Sequence, residues 1–439
     1  MKRTKERIAE EKTGNYDFER MYKQAEQTPP IIDCATFLGP VEVRQSPGRG
    51  RGLFTTKAVS AGQLLLCEKA FGYSYTDEKQ LSVLMNIATK RAKVGGQAGL
   101  LTQIVQKLYH GHCQSREFRE LFCGDYTPVS VSEVDGTPVV DTYVLSPVAQ
   151  TDRGLCIRLT PYSFLVDRII TQNSFGAPRT TRNSHIAAIS SNNTEEDAHT
   201  TCGIWPLASR INHSCAGNCR RSFIGDMQLV RATTDISADT ELFFAYRLPK
   251  PMESYTDVQK ELANWGFVCD CKLCAGRKAT SPEMLKQRKS LSNLLIKALK
   301  GPGPVNAAKA REVLEKMGET YPTTNTSPVR LELWDPYFAL GDHLLQHRRL
   351  VDAVKMFVKG FEALGFSITA SLPHRNTRRA FKVERWGLSN DMVPWAFSRL
   401  LEAYKEIGPE HCGQIGHYSE VAYRMVVGEG VTMAGVFPG

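Results

Sequence analysis

The apolar positions change period along the chain. Over residues 1–28, Tyr16, Phe18, Met21 and Tyr22 give a weak helical pattern in a charged background. That segment reads as a linker or lead-in helix, closed by Pro29-Pro30. Val41-Glu42-Val43 reads as a short strand. A strand-like pair follows over 52–58 and 63–68, with a turn at Ser60-Ala61-Gly62. From about Thr76 to Gln150 the spacing is helical, as in Leu81, Val83, Leu84 and Ile87 and then Leu101, Ile104, Val105 and Leu108. Residues 158–175 predict a further helix, and the Ser-, Thr- and Asn-rich run 177–201 predicts a flexible insertion. Short strands return at 220–223 and 227–232 around Gly225-Asp226, a hairpin signal. A turn at Asp239-Thr240 then leads into a predicted strand over 241–246. Beyond Cys274, residues 282–439 are dominated by helical spacing, broken at Pro302 and Pro304.

Length and composition narrow this picture. A chain of 439 residues is too long for one ordinary core, so two or three domains are expected. No apolar run reaches the roughly 18 residues of a membrane span, so no membrane partner is expected. The charged start, Met1-Lys2-Arg3-Thr4-Lys5, has no signal-peptide core. An intracellular, reducing location, nucleus and/or cytoplasm, is therefore expected. The 12 cysteines are then better read as metal ligands and buried thiols than as disulfides. The net charge of +9 is spread over scattered Lys and Arg, which speaks for a mildly basic surface. The densest basic cluster, Arg375, Arg378, Arg379, Lys382 and Arg385, lies far along the chain from the chemistry described next. Sequence-specific nucleic-acid binding is not expected.

The chemistry centres on Arg210-Ile211-Asn212-His213-Ser214-Cys215-Ala216-Gly217-Asn218-Cys219. Some fifty residues on, Cys269-Asp270-Cys271-Lys272-Leu273-Cys274 supplies three thiolates. A tetrahedral structural zinc needs four. The fourth is most economically Cys215, with Cys219 as its replacement. Cys67, Cys113 and Cys123 lack paired spacing, and His110 and His112 do not complete one; these read as buried thiols and surface histidines, with a second metal site on Cys113, Cys123, His110 and His112 as the alternative. Ser46-Pro47-Gly48-Arg49-Gly50-Arg51-Gly52 is a Gly/Arg-rich turn; taken alone it reads as a hairpin loop whose glycines permit positive φ and close backbone approach. Asn173, near a helix end, would by itself be a cap.

Asn212-His213-Ser214-Cys215, followed by the Tyr246 strand and then Phe267-Val268-Cys269-Asp270-Cys271-Lys272-Leu273-Cys274, resembles the SET-domain protein-lysine methyltransferases. Within them it is similar to the SET-and-MYND group and its fungal relatives with tetratricopeptide (TPR) repeats. The likeness covers roughly residues 40–275 and, more weakly, the helical tail. No MYND module is evident. The fungal relatives carry TPR helices upstream of the point where this chain begins.

The resemblance implies an α+β fold. Its parts are a lead-in over 1–38, a SET β-fold of short strands over 39–247 with a mainly helical insertion and polar loop at 72–200, a zinc-binding post-SET segment over 248–278, and an all-α TPR-like domain over 279–439. In that last part Tyr337, Leu340, Gly341, Leu344, Ala353, Phe357 and Gly360 fall at TPR packing positions. It implies S-adenosylmethionine as cofactor, gripped by Arg49, Gly50 and Arg51 through the main chain, and by Asn173, Asn212, His213 (mainly its backbone) and Phe267. Zinc would sit on Cys215, Cys269, Cys271 and Cys274. Tyr246 would orient the lysine amine, and Trp265 would line the channel where relatives often have Tyr. The partner implied is a protein presenting a lysine, with further helical or peptide partners for the C-terminal domain. The alternative is a catalytically silent scaffold built on the same parts; binding of S-adenosylmethionine distinguishes the two.

Overall fold

A computed structural model describes residues 4–77, 82–86, 92–110, 116–123, 143–147, 155–157, 162–177, 181–190, 199–300, 304–321, 329–370 and 381–437. The fold is of the α+β class, many helices with short strands. The chain forms two compact units that are not consecutive in sequence. The first comprises Met1–Leu53, Leu65–Ile211 and Ser222–Val230; the second comprises Phe54–Leu64, Asn212–Arg221 and Arg231–Gly439. No described helix is long and apolar enough to cross a membrane.

The first unit starts with two helices, Lys5–Glu11 and Phe18–Ala25, capped by the side chains of Thr4 and Asp17. Met21, Tyr22 and Ala25 are buried, and the buried Glu11 carboxylate accepts from Arg7, Arg20 and the Ala35 N–H. The lead-in is thus a packed part of this unit and not a linker. A four-stranded sheet runs Phe37–Leu38, Leu64–Lys69, Met227–Ala232, Cys219–Ile224 in spatial order. The predicted hairpin turns at Gly225, whose φ is +52° and where a Cβ would meet the Pro30 carbonyl oxygen at 2.5 Å. Asp226 holds it, accepting from the Ile32 N–H at 2.8 Å and pairing with Lys69.

The insertion departs from the helical expectation. Ser82–Asn86 is a strand, paired antiparallel with Ala92–Val94 on one side and Tyr143–Pro147 on the other. A short apolar run fits helix and strand periods equally, and here the cross-strand partners decide. Leu81 and Ile87 of that pattern lie outside the described residues. The expected helix is present at Gly96–His110, and with Tyr162–Asn173 it buries Leu100, Leu101, Ile104, Val166, Ile169 and Ile170 together. The run expected to be flexible contains a helix, Arg182–Ser190, and the start of a strand, His199–Ile204, antiparallel to Gly72–Asp77. The helix is anchored by buried His185, whose Nε2 lies 2.7 Å from the Phe223 carbonyl oxygen.

The second unit is mainly helical after residue 254. Helices Pro282–Lys300 and Ala307–Glu319, Trp334–Gln346 and Leu350–Ala363, Met392–Ile407 and Cys412–Val427 pack as consecutive pairs. Phe338, Phe357, Phe361, Phe397 and Tyr404 lie in their shared core. Gly341 and Gly360 sit where two helices press together: a Cβ on Gly360 would meet the Phe338 ring at 2.4 Å and one on Gly341 the Phe357 ring at 3.2 Å. The all-α expectation needs correction. Ser367–Thr369 pairs antiparallel with Lys382–Arg385, and buried Phe366, Val383 and Trp386 fix this ribbon to the helical core. Of the basic cluster, Arg375, Arg378 and Arg379 lie outside the described residues.

Candidate active site and cysteine cage

The segment Asn212–His213 is a short strand, parallel to Phe243–Phe244. Two side chains hold this pairing. The Asn218 amide accepts from the Phe243 N–H at 2.8 Å and donates to the Glu241 carbonyl at 2.9 Å, imitating a strand edge. Asn212 donates to the Glu241 carboxylate at 2.7 Å. Gly217 permits the close pass, since a Cβ there would meet the Phe243 carbonyl oxygen at 2.3 Å. The strand expected over 241–246 is shorter than predicted: it ends at Phe244, and Tyr246 follows in a bend. The Tyr246 N–H donates instead to His213 Nδ1 at 3.0 Å, which takes over the role of a ladder partner. The turn expected at Asp239-Thr240 is present, with Asp239 at φ +58°, a region that Asp tolerates better than most residues.

Tyr246 is walled by rings. Centroid separations are 5.2 Å to His213, 5.6 Å to Trp265, 5.8 Å to Phe244 and 6.1 Å to Phe267. Gly266, in the left-handed region at φ +75°, turns the chain between Trp265 and Phe267 so that both rings reach Tyr246. Burial pushes the Tyr246 hydroxyl up to about 12; nearby Arg221 opposes this and Glu241 adds to it. At neutral pH the phenol therefore keeps its proton and can donate it in a hydrogen bond. Arg221 lies over the Phe244 ring at 4.6 Å and donates to the Ala245 carbonyl at 3.0 Å; burial lowers its guanidinium to about 10.

Beside this box four cysteine sulfurs converge. The Sγ atoms of Cys215, Cys269, Cys271 and Cys274 all lie within 4.8 Å of one another. Cys215 Sγ is 4.0 Å from Cys269 Sγ and 3.6 Å from Cys274 Sγ. A metal with bonds of about 2.3 Å to four tetrahedral sulfurs would set them about 3.8 Å apart. Thiolate donors at this spacing fit such an ion. Cys219 lies elsewhere, its thiol donating to the Phe243 carbonyl at 3.3 Å. Gln259, from helix Tyr255–Leu262, braces the cage three ways. It accepts from the Cys269 N–H at 2.8 Å and donates to the Cys269 carbonyl at 3.1 Å and to Cys274 Sγ at 3.7 Å. Val258, Leu262, Leu273, Val329 and Leu331 pack apolar side chains around it. Among the described residues this is the one such group of three or more candidate ligands. Cys113 and His112 lie outside them.

The remaining candidates belong to the first unit. Strands Val41–Ser46 and Gly50–Thr55 pair, and their turn carries Gly48 at φ +72° and Gly50 at φ +71°, both with open space around the missing Cβ. Arg49 is exposed there, its N–H donating to the Ser46 carbonyl at 3.0 Å. Arg51 donates to the Glu120 carboxylate at 2.9 Å and to the Glu120 carbonyl. Asn173 is buried and spends its amide nitrogen on the carbonyls of Phe122 at 2.7 Å and Ile169 at 2.8 Å. In the same unit, the buried Glu68 carboxylate accepts from the N–H groups of Leu207 and Ala208 at 2.8 and 2.9 Å.

Sequence reasoning missed the roles of Gln259, Glu241, Asn218 and the His213 ring. For His213 a signal existed: in extended backbone, positions i and i+2 share a face, which puts its ring beside Cys215. Gln259 had none, because it sits ten positions before Cys269, within helix Tyr255–Leu262.

Residues 50–247 match the SET domain as a family. A methyltransferase of Gibberella zeae is 53% identical over 436 residues, 97% of this chain and 57% of that protein. N-lysine methyltransferase SMYD2-B of Xenopus laevis is 35% identical over 96 residues, 22% of each chain. Protein-lysine N-methyltransferase SMYD4 of Mus musculus is 29% identical over 123 residues, 28% of this chain and 15% of that one. The chain thus spans less than two thirds of each of these relatives.

Proposed function

We propose, from the match of residues 50–247 to the SET domain, that the protein is an S-adenosylmethionine-dependent protein-lysine N-methyltransferase. The observation that carries this reading is Tyr246, a protonated phenol walled by His213, Trp265, Phe244 and Phe267. A lysine side chain needs such a lining: apolar walls disfavour its ammonium form and so favour the neutral nucleophile. S-adenosylmethionine, when bound, supplies a sulfonium methyl that the neutral amine takes up, leaving S-adenosylhomocysteine and a proton for water.

Tyr246 donates its hydroxyl hydrogen bond to orient the amine, a positioning role more than an acid–base one. Trp265 and Tyr246 line the lysine channel and keep water from it. Arg49, Gly50, Arg51, Asn173, Asn212, His213 and Phe267 are the residues proposed to hold the cofactor. Arg51 acts through its main chain, because its guanidinium already engages Glu120. Asn173 offers its amide oxygen, because its amide nitrogen is committed. Phe267 presents a flat apolar face suited to an adenine ring.

Cys215, Cys269, Cys271 and Cys274 are proposed to hold zinc. That ion, when bound, would supply a four-thiolate cross-link between residue 215 and the segment 269–274, whose last residues open helix Lys272–Lys278. The helical pairs after residue 282 are read as TPR-like and as a platform for a protein partner. Isothermal calorimetry with S-adenosylmethionine tests the reading first. Saturable binding at one site per chain is expected; well-folded, metal-loaded protein that binds none would favour the silent scaffold.

A further inference from the structure

We propose that His213 is a positioning residue that ties Tyr246 to the cysteine cage, so that metal occupancy is felt at the tyrosine. The inference rests on the reading of Tyr246 just given. His213 is buried, and each of its two ring nitrogens has a partner. Nδ1 accepts from the Tyr246 main-chain N–H at 3.0 Å. A neutral imidazole that accepts at Nδ1 carries its hydrogen on Nε2. Nε2 lies 3.4 Å from Cys215 Sγ, so the Nε2–H donates to that sulfur. The same ring stands 5.2 Å from Tyr246 and 5.6 Å from Phe267 by centroids.

One side chain therefore bridges a cage sulfur and the backbone that carries the hydroxyl. Gln259 also donates to a cage sulfur, that of Cys274, but its other bonds go to Cys269. Of these two donors, His213 is the one that reaches Tyr246. A metal-bound thiolate accepts an N–H more strongly than a thiol does, since charge-assisted hydrogen bonds are the stronger class. Loading the cage thus tightens the His213 ring, and the ring tightens the bend at Tyr246. Partners of this kind around a metal orient and tune the ligands they touch.

The test uses the full chain with cobalt or cadmium in the cage. In the cobalt form, His213→Phe removes the N–H donor to sulfur. Its sulfur-to-metal charge-transfer band should move to longer wavelength, and a chromogenic chelator should extract the metal about 10- to 100-fold more readily. Gln259→Met should shift the band in the same sense, as a check that the band reports N–H donors. For wild-type protein loaded with an NMR-active cadmium isotope, the Nε2 proton of His213 should show a coupling to the metal through the sulfur. This measurement needs no variant to fold. An unmoved cobalt band in folded His213→Phe, or a His213 protonated on Nδ1, would overturn the bridge. The methyltransferase reading is tested separately. With a lysine peptide substrate, His213→Phe should lower kcat by more than it raises the KM for S-adenosylmethionine. A bridge seen by NMR alongside an inactive wild-type chain would sink the enzyme reading and leave the bridge standing. Wild-type-like kcat in His213→Phe would break the link from the bridge to Tyr246.

Discussion

The candidate residues of the two units are built in opposite ways. In the first unit, the polar side chains singled out from sequence are engaged by the protein itself. Arg51 holds Glu120, and the Asn173 amide nitrogen holds two carbonyls. They shape backbone, and what they offer a ligand is main chain and one amide oxygen. In the second unit Asn212 is likewise engaged, by the Glu241 carboxylate, and the other candidates are rings and sulfurs gathered around Tyr246 and Cys215. Backbone clamps from Asn218 and His213, and the brace of Gln259, set them in place. The difference teaches where substitution should hurt and in which currency: stability in the first unit, metal content and rate in the second.

The largest effect should come from the cage. Structural zinc contributes on the order of 10 kcal/mol to the folding of small zinc modules. Cys271→Ser should therefore abolish stoichiometric metal in elemental analysis and lower the unfolding midpoint more than any other change named here. A variant that kept its metal would break the assignment of the second unit.

Next comes Tyr246→Phe, which keeps the ring contacts and removes the donor. Loss of one preorganised hydrogen bond should slow single-turnover methyl transfer roughly 30- to 1,000-fold, with little change in stability. Mono-, di- and trimethyl products should be counted separately, because a wider channel changes their ratio. An unchanged rate and product pattern would make Tyr246 a structural ring and erase the contrast between the units.

Asn173→Ala sharpens the other side. It leaves two carbonyls without their donor and should cost about 1–3 kcal/mol of stability in urea unfolding, while metal content stays at the wild-type value. A loss of metal would contradict the division.

The smallest effect concerns Glu68. Burial raises its carboxyl to about 7, opposed by the Leu207 and Ala208 N–H groups and by Arg210, with Glu117 adding to the rise. The folded state then holds a proton that the unfolded chain has released above pH ~4.5. Stability from this group is greatest below that pH and falls as pH rises towards 7. Glu68→Gln should flatten the decline in urea midpoint between these values; a decline as steep as in wild type would assign the pH dependence to other groups.

Legibility from sequence followed the same divide. Spacing pointed to the Cys269–Cys271–Cys274 run, and the donor count of a tetrahedral metal asked for one more, for which Cys215 stood first and Cys219 remained as its replacement. The helix pairs after residue 282 were legible because long periodic stretches leave little ambiguity. The 82–86 strand was not, since a few apolar residues fit either period until partners such as 143–147 are known. Helix 182–190 was hidden by its polar composition, although buried His185 anchors it. Tyr246 was found by family pattern, but its place past the strand end was not, because a side-chain nitrogen of His213 replaces the backbone acceptor there.

The most direct test of the central claim is intact-mass and fragment mass spectrometry of a lysine-peptide array incubated with the purified, metal-loaded chain and isotope-labelled S-adenosylmethionine. The account predicts labelled methyl groups on lysine nitrogen in particular peptides, strongly reduced with Tyr246→Phe. Tight S-adenosylmethionine binding with no labelled lysine in the array or in a cell extract, or equal labelling by wild type and Tyr246→Phe, would contradict it.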